Sequence, residues 1–299
     1  MRRGFQLIAL ALSIGALPLW AKTSWNNPPS RPPPDVRHET LRSVALKTEV
    51  GYNICLPEEY SSKGEQRFPV IYYLHGYEGN ESSFLDYAKY WRAAVKRLGP
   101  VILVFVNGGE TSFFCDSPDG SVPGETILMK ELIPHIDQKF RTVTNAAGRS
   151  LHGYSMGGFG ALKFAFKYPD TFGSVVAYGA TLADAAEFKK HLGKVYAQMF
   201  GSDPKRFGEN DPLVLAERNA EKIRGHVAVS LIVGTKDDFL ERNRALHGKL
   251  QTLKIPHDHE EIRGAGHKKD DLYEPAALRA FEFSAQHFGH AKKPASLDK

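Results

Sequence analysis

RSLHGYSMGGFGALKFAFKY, residues 149–168, decides how this chain is read. RSLHGY reads as a buried strand and MGGFGALKFAFKY as a helix, which leaves Ser155 at the junction. Glycines stand two before and two after it, at 153 and 157, with a third directly behind at 158. A sharp strand-to-helix turn crowds its own backbone, and glycine removes the side chains that would collide. Such a turn lifts the serine hydroxyl above the sheet edge, at the positive end of the following helix. Developing negative charge is favoured there, and the amide of Met156 points toward it. G-x-S-x-G alone occurs by chance; with a strand before and a helix after, it has the context of a nucleophile. His152 is expected to pack within the strand, because consecutive strand side chains face opposite ways.

A serine hydroxyl needs a base, and the base needs an acid to orient it. Downstream, LIVGTKDDFLERN places Asp237 three residues after Gly234, at the end of a buried strand; it is favoured as the acid over adjacent Asp238, which is free to cap the helix starting near Phe239. EEIRGAGHKKDDLYEP then supplies His267 on a glycine-rich loop, the expected base. The rival pattern HDHEE alternates His257, His259 and Glu261 along one strand face, which reads as a solvated face rather than a metal site. Acyl transfer also needs two backbone donors for the oxyanion. Met156 is one, and the amide of Tyr77, after His75–Gly76 in YYLHGYEGN, is the other. His75 is expected to prop that loop rather than react.

Around this site, short apolar runs alternate with helical patterns. FPVIYYLHG, PVILVFVNGG, GRSLHGYS, GSVVAYGA and HVAVSLIVGT read as strands buried on both faces. Segments 84–98, 125–140, 157–168, 239–253 and 273–288 read as helices, and LRSVALKTEVGYNICLP as an opening antiparallel hairpin. The order predicts an α/β fold: a mainly parallel, doubly wound sheet with helices on both faces, in one domain over 36–289. Residues 181–225, with turn signals at GSDPKRFGENDP, are expected as an insertion over the carboxyl edge of the sheet, where such folds place ligands.

The 299-residue chain is 42% apolar and 24% charged, an ordinary globular balance. Its net charge of +5 includes Arg2 and Arg3, and scattered lysines at that level do not argue for nucleic acid. Residues 1–21 have the layout of a secretory signal peptide: two arginines, an apolar run from about Leu7 to Trp20, then Ala21. That implies a secreted or periplasmic protein with no membrane span once the signal is removed. NNPPSRPPPD, within 22–35, predicts an extended linker, and 290–299 a polar tail. The two cysteines, Cys55 and Cys115, permit one bridge without requiring it.

With LHGYEG, NGGETSFFCDSP, KELIPHIDQKF, GYSMGGFGALKFAFKYPD, GTKDDF and GAGH in this order, the chain resembles the putative-esterase family of α/β-hydrolases. That family includes esterase D-like S-formylglutathione hydrolases, feruloyl and acetyl-xylan esterases, enterochelin esterases and mycolyltransferases. The resemblance spans about 40 to 288. It implies the α/β-hydrolase fold, a Ser155–His267–Asp237 triad, oxyanion amides at Tyr77 and Met156, and no metal or organic cofactor. It also implies a small-molecule or polysaccharide-linked ester as substrate. Two departures stand out. HKKDDLY follows the histidine where many members carry an aromatic residue, and the aromatic loop TSFFCDSPDGSVPGE offers Phe113 and Phe114 either as substrate-pocket residues or as core. The expected activity is hydrolysis of carboxylic esters through an acyl-enzyme. An acyltransferase of the mycolyltransferase type on the same site, or an inactive wall- or carbohydrate-binding module, are the alternatives.

Overall fold

The computed structural model describes residues 24–62 and 64–289, so the expected signal segment 1–21 and tail 290–299 lie outside the described residues. Turn-bounded runs form β1 (Val36–Arg42), β2 (Glu49–Cys55), β3 (Val70–Leu74), β4 (Ile102–Val106), β5 (Arg149–Tyr154), β6 (Ser174–Tyr178), β7 (Ala228–Gly234) and β8 (His257–Ile262). They make one sheet in the order β1-β2-β4-β3-β5-β6-β7-β8. β1 pairs antiparallel with β2, and β2 with β4, while the other neighbours are parallel. The doubly wound expectation therefore holds, with the antiparallel hairpin at one edge. β3 to β6 are buried along their whole length, as strands covered on both faces must be.

Alternation along the strands sorts the core into two layers. Val70, Tyr72 and Leu74 face a layer that includes Ile127, Phe159, Leu162 and Phe166. Ile71 and Tyr73 face the opposite layer, with Trp91, Tyr273 and Phe281. His152 lies in that second layer, as expected of its alternation. Its Nδ1 is 2.9 Å from the Tyr87 hydroxyl and its Nε2 2.8 Å from that of Ser284.

Several boundaries differ from expectation. The last helix begins at Lys269, not 273, and carries Pro275 inside it. Asp270 and Asp271 supply the acidic first turn, and Pro275 falls too far along to mark the start. The helix expected at 125–140 runs from Gly124 to Lys139 with a π-helical stretch at Ile127–Leu132. Pro134 has no N–H for the carbonyl one turn back, and the wider turn ends beside it. The turn signals of the insertion prove to be helix starts. Asp203 and Asp211 each precede a proline and accept the N–H of Lys205 and Leu213, capping Pro204–Gly208 and Pro212–Arg218.

Within the expected 22–35 linker, residues 24–27 dock on the domain, while 28–34 contribute no buried residue. Proline-rich chain has no internal hydrogen bonds, so its polar groups must find partners elsewhere. Trp25 is buried against Gly109, where a Cβ would come within 2.9 Å of its ring. Its carbonyl accepts the N–H of Gly51 at 2.6 Å. The buried carboxylate of Glu81 accepts from the backbone N–H and side-chain amide of Asn27, at 2.5 and 3.1 Å, and from the Asn107 amide at 2.7 Å. Cys55 and Cys115 are both free, buried thiols, so the permitted bridge does not form.

Candidate active site

The turn at 153–158 is as crowded as its glycines suggest. A Cβ on Gly153 would lie 2.1 Å from the Gly157 carbonyl oxygen, and one on Gly157 would lie 2.0 Å from that of Leu74. These are backbone atoms and cannot step aside. Ser155 itself sits at φ 58°, ψ −118°, a conformation that costs a non-glycine residue roughly 1–3 kcal/mol. The neighbours over-determine it: Ser155 N–H donates to the Tyr178 carbonyl at 2.9 Å, and its own carbonyl accepts from Phe159 and Thr181, both at 3.1 Å. Helix Met156–Lys167 follows at once, nearly all of it buried. Its first amides have no partner inside the helix.

Three elements converge on the Ser155 hydroxyl. β7 ends at Gly234, and the turn closed by Asp237 N–H to the Gly234 carbonyl, 3.1 Å, brings Asp237 back over the strand ends. The Asp237 side chain is fully shielded. Its Oδ1 accepts the Phe239 N–H at 2.8 Å, and its Oδ2 lies 2.8 Å from His267 Nδ1. His267 Nε2 is in turn 2.8 Å from Ser155 Oγ. Asp238 is exposed, and it is Asp237 rather than Asp238 that receives the helix-start amide. The imidazole lies between rings. Tyr154 stacks on it at 5.2 Å and 23°, and Phe239 meets it edge-on at 4.9 Å. The Tyr154 hydroxyl donates to the His267 carbonyl at 3.1 Å. Burial first, then nearby Asp237, pushes that phenol above its ordinary value, so it stays a donor.

The loop after β3 is held by His75. Its ring is fully buried, Nδ1 lies 2.8 Å from the Gly76 carbonyl, and Nε2 accepts the Gly108 N–H at 3.3 Å. Burial lowers its pKa to about 4, so it is neutral near pH 7. Glu78 N–H donates to the Glu110 carbonyl at 2.7 Å, tying this loop to the one after β4. Tyr77 lies between these anchors with its side chain partly exposed.

Phe113 and Phe114, read from the sequence as either pocket or core, are both fully buried and pack in the core. Phe113 packs on Phe159 and Phe188, and Phe114 on His75. Both have positive φ, a tight turn held by buried Lys163, which donates to the Phe114 carbonyl and pairs with Glu125 at 2.9 Å. His257 and His259 pack on the helix Leu240–Thr252: His257 lies 2.8 Å from His247 Nδ1, and His259 stacks on the His247 ring at 4.2 Å. Glu261 meets Arg244 at 2.7 Å. Among the described residues, no group of three or more His, Cys, Asp or Glu is placed to hold a metal ion.

Three neighbours of the site were not read from the sequence. Tyr154 directly precedes Ser155, so its proximity was legible but its stacking on a residue 113 positions away was not. Phe239 is an apolar residue just beyond Asp237 and reads from the sequence only as part of a helix start. Thr181, whose Oγ1 is 3.0 Å from Ser155 Oγ, has no local signal; it is near only because β6 is the neighbour of β5. It opens the 181–225 segment, whose helices pack on the loop after β4 through Phe188 on Phe113, and whose Arg206 donates to the Asp116 carbonyl at 2.9 Å.

Comparison with known proteins agrees with this architecture. An esterase of Mycobacterium tuberculosis is 25% identical over 269 residues, covering 80% of this chain and 57% of its own. An endo-1,4-beta-xylanase/feruloyl esterase of Xylanibacter ruminicola is 28% identical over 237 residues, 73% of this chain and 32% of its own. The chain thus spans about half or less of the length of these two relatives. A solved ferulic acid esterase superposes with a TM-score of 0.73 at 23% identity, over 85% of this chain and 98% of that one, which shows the shared α/β-hydrolase fold. The model of the family described as "Putative esterase" matches residues 43–276, most of the domain, and the chain belongs to that family.

Proposed function

We propose that this protein is an exported serine carboxylic-ester hydrolase that works through a Ser155–His267–Asp237 triad and an acyl-enzyme. The observation that carries the reading is the continuous hydrogen-bond chain from Asp237 Oδ2 through both imidazole nitrogens to Ser155 Oγ, 2.8 Å at each end. With its Nδ1–H held by Asp237, His267 presents a bare Nε2 to the serine proton. Ser155 Oγ attacks the ester carbonyl carbon as that proton passes to Nε2, and the carbonyl π pair moves onto oxygen. The amides of Tyr77 and Met156 are the assigned donors to that oxyanion. Collapse expels the alcohol, protonated by His267. Water then repeats the sequence and frees the acid. No metal or organic cofactor enters.

The substrate class we assign is small acyl, acetyl- or feruloyl-type esters. The supporting observations are the family and the feruloyl esterase among the relatives. Export rests on the signal-like segment 1–21 in the sequence alone. The deciding experiment is Ser155→Ala assayed on p-nitrophenyl acetate and on acetyl and feruloyl esters. A folded protein whose turnover has dropped by several orders of magnitude is expected. Undiminished turnover would overturn the assignment.

A further inference from the structure

Among the described residues, two side chains lie within hydrogen-bond distance of Ser155 Oγ: His267 through Nε2 at 2.8 Å and Thr181 through Oγ1 at 3.0 Å. Either hydroxyl is sterically able to donate to the other, but the rest of the site decides which one does. Asp237 Oδ2 accepts the His267 Nδ1 proton, so in the neutral imidazole Nε2 has only a lone pair. Ser155 must therefore spend its single proton on Nε2, and the contact with Thr181 can be made only by the threonine donating. Thr181 is held in place to do so: it is buried, and its own N–H is bonded to the Ser155 carbonyl at 3.1 Å. All four directions around Oγ are then assigned: Cβ, the proton shared with Nε2, one lone pair to Thr181, and one lone pair left for the ester carbon.

We infer that Thr181 is a further catalytic residue, a fixed hydroxyl donor to the serine oxygen in both half-reactions; the inference rests on Ser155 being the nucleophile. During attack, the Oγ–C bond forms as the Oγ proton leaves for Nε2, and negative charge builds transiently on Oγ. During deacylation the Oγ–C bond breaks and the proton returns from Nε2 to Oγ. The Thr181 proton stays on the threonine throughout. It stabilises charge on Oγ without being transferred, and it keeps the remaining lone pair aimed at the substrate. A hydrogen bond to a charged oxygen is worth more than one to a neutral oxygen, so the effect falls on the barrier rather than on resting stability.

The test uses Thr181→Val, which keeps the shape without the hydroxyl, Thr181→Ala, and Thr181→Ser, which keeps the hydroxyl. The readouts are the rate of the p-nitrophenol burst and the rate of labelling by an alkyl fluorophosphonate, with mass spectrometry to locate the adduct. Loss of the hydroxyl should slow both rates about tenfold or more, the size expected for a hydrogen bond to developing charge. Thr181→Ser should recover most of the loss, and the melting midpoints of all variants should stay close together. If Thr181→Val or Thr181→Ala acylates Ser155 at the wild-type rate, the inference is wrong and the triad reading survives. If the wild-type adduct is found away from Ser155, the nucleophile assignment falls, and this inference with it.

Discussion

Two buried histidines should make this protein acid-labile, independently of any titration at the active site. His152 and His75 are fully enclosed, and burial lowers their pKa values from 6.5 to about 3 and about 4. The partners of His152 are the hydroxyls of Tyr87 and Ser284, and those of His75 are a backbone carbonyl and an N–H. None of these carries a negative charge that would hold a proton on the ring. At pH 5 both rings are therefore neutral in the folded protein and charged in the unfolded chain. Because the folded values are depressed, the stabilisation is complete above 6.5 and is lost as pH falls toward 4 and then 3. Going from pH 7 to pH 5 should remove about 2 kcal/mol per histidine, about 4 kcal/mol for the pair. That is a large part of the ~5–15 kcal/mol that holds a typical domain folded. Urea unfolding at half-unit steps from pH 7 to 5, on the native chain, His152→Gln and His75→Gln, measures the effect as a slope. Each variant should lose about 1.2 kcal/mol per pH unit of steepness between pH 6 and 5, whatever its stability at neutral pH. Parallel lines for the native chain and His152→Gln would refute the reasoning, since the ring would then take up its proton without unfolding.

Two further outcomes follow from the site's surroundings. Trp25→Ala removes a buried indole that seats the 24–27 segment under Gly109, and should cost about 3 kcal/mol or more, read as a lower calorimetric midpoint; an unchanged midpoint would return that segment to the status of a tether. Gly179 has φ 48°, and a Cβ there would lie 2.8 Å from Asp237 Oδ2 and 3.3 Å from His267 Nδ1. Gly179→Ala should therefore leave a folded protein, by circular dichroism, with turnover reduced about tenfold or more, the cost of displacing the Asp237–His267 hydrogen bond of the proposed triad; wild-type turnover would show that the Asp237–His267 contact tolerates the methyl group.

The parts that were legible in the sequence are those governed by short-range physics. Period-two and continuous apolar runs gave the strands, and glycine at 153 and 157 betrayed a turn with no room for side chains. Chain order then singled out Asp237 and His267. What stayed hidden depended on packing at long range. Nothing local distinguishes a proline-rich tether from one that docks, because docking depends on Glu81, Asn107 and Gly51, far along the chain. Asp203–Pro204 and Asp211–Pro212 read equally as turns or as capped helix starts, and only the buried Phe207 and Leu215 behind them settle the matter. The choice between pocket and core for Phe113 and Phe114 stays open in the sequence for the same reason: an aromatic pair in a loop says nothing of which side is covered.

The spacing of the proposed triad is a consequence of strand register. Ser155 follows β5, Asp237 follows β7, and His267 follows β8, so no local segment holds any two of them together. Across the sheet Tyr154 lies opposite Tyr178, Tyr178 opposite Ile232, and Gly234 opposite Ile262. A slip of one residue in any of these pairings would move its side chain by about 3.3 Å along the strand, several times the tolerance of a hydrogen bond. It would also turn every core residue of that strand to the wrong face. Apolar layers cover both faces of the sheet, so that error is costly on each side. The distances between three distant residues are therefore protected by the burial of side chains that never meet a substrate, such as Val175 and Leu231 on one face and Val176 and Ile232 on the other. The strained backbone at Ser155 persists for the same reason: relaxing it would break the hydrogen bond from its N–H to the Tyr178 carbonyl, which aligns β5 with β6 at the mouth of the site.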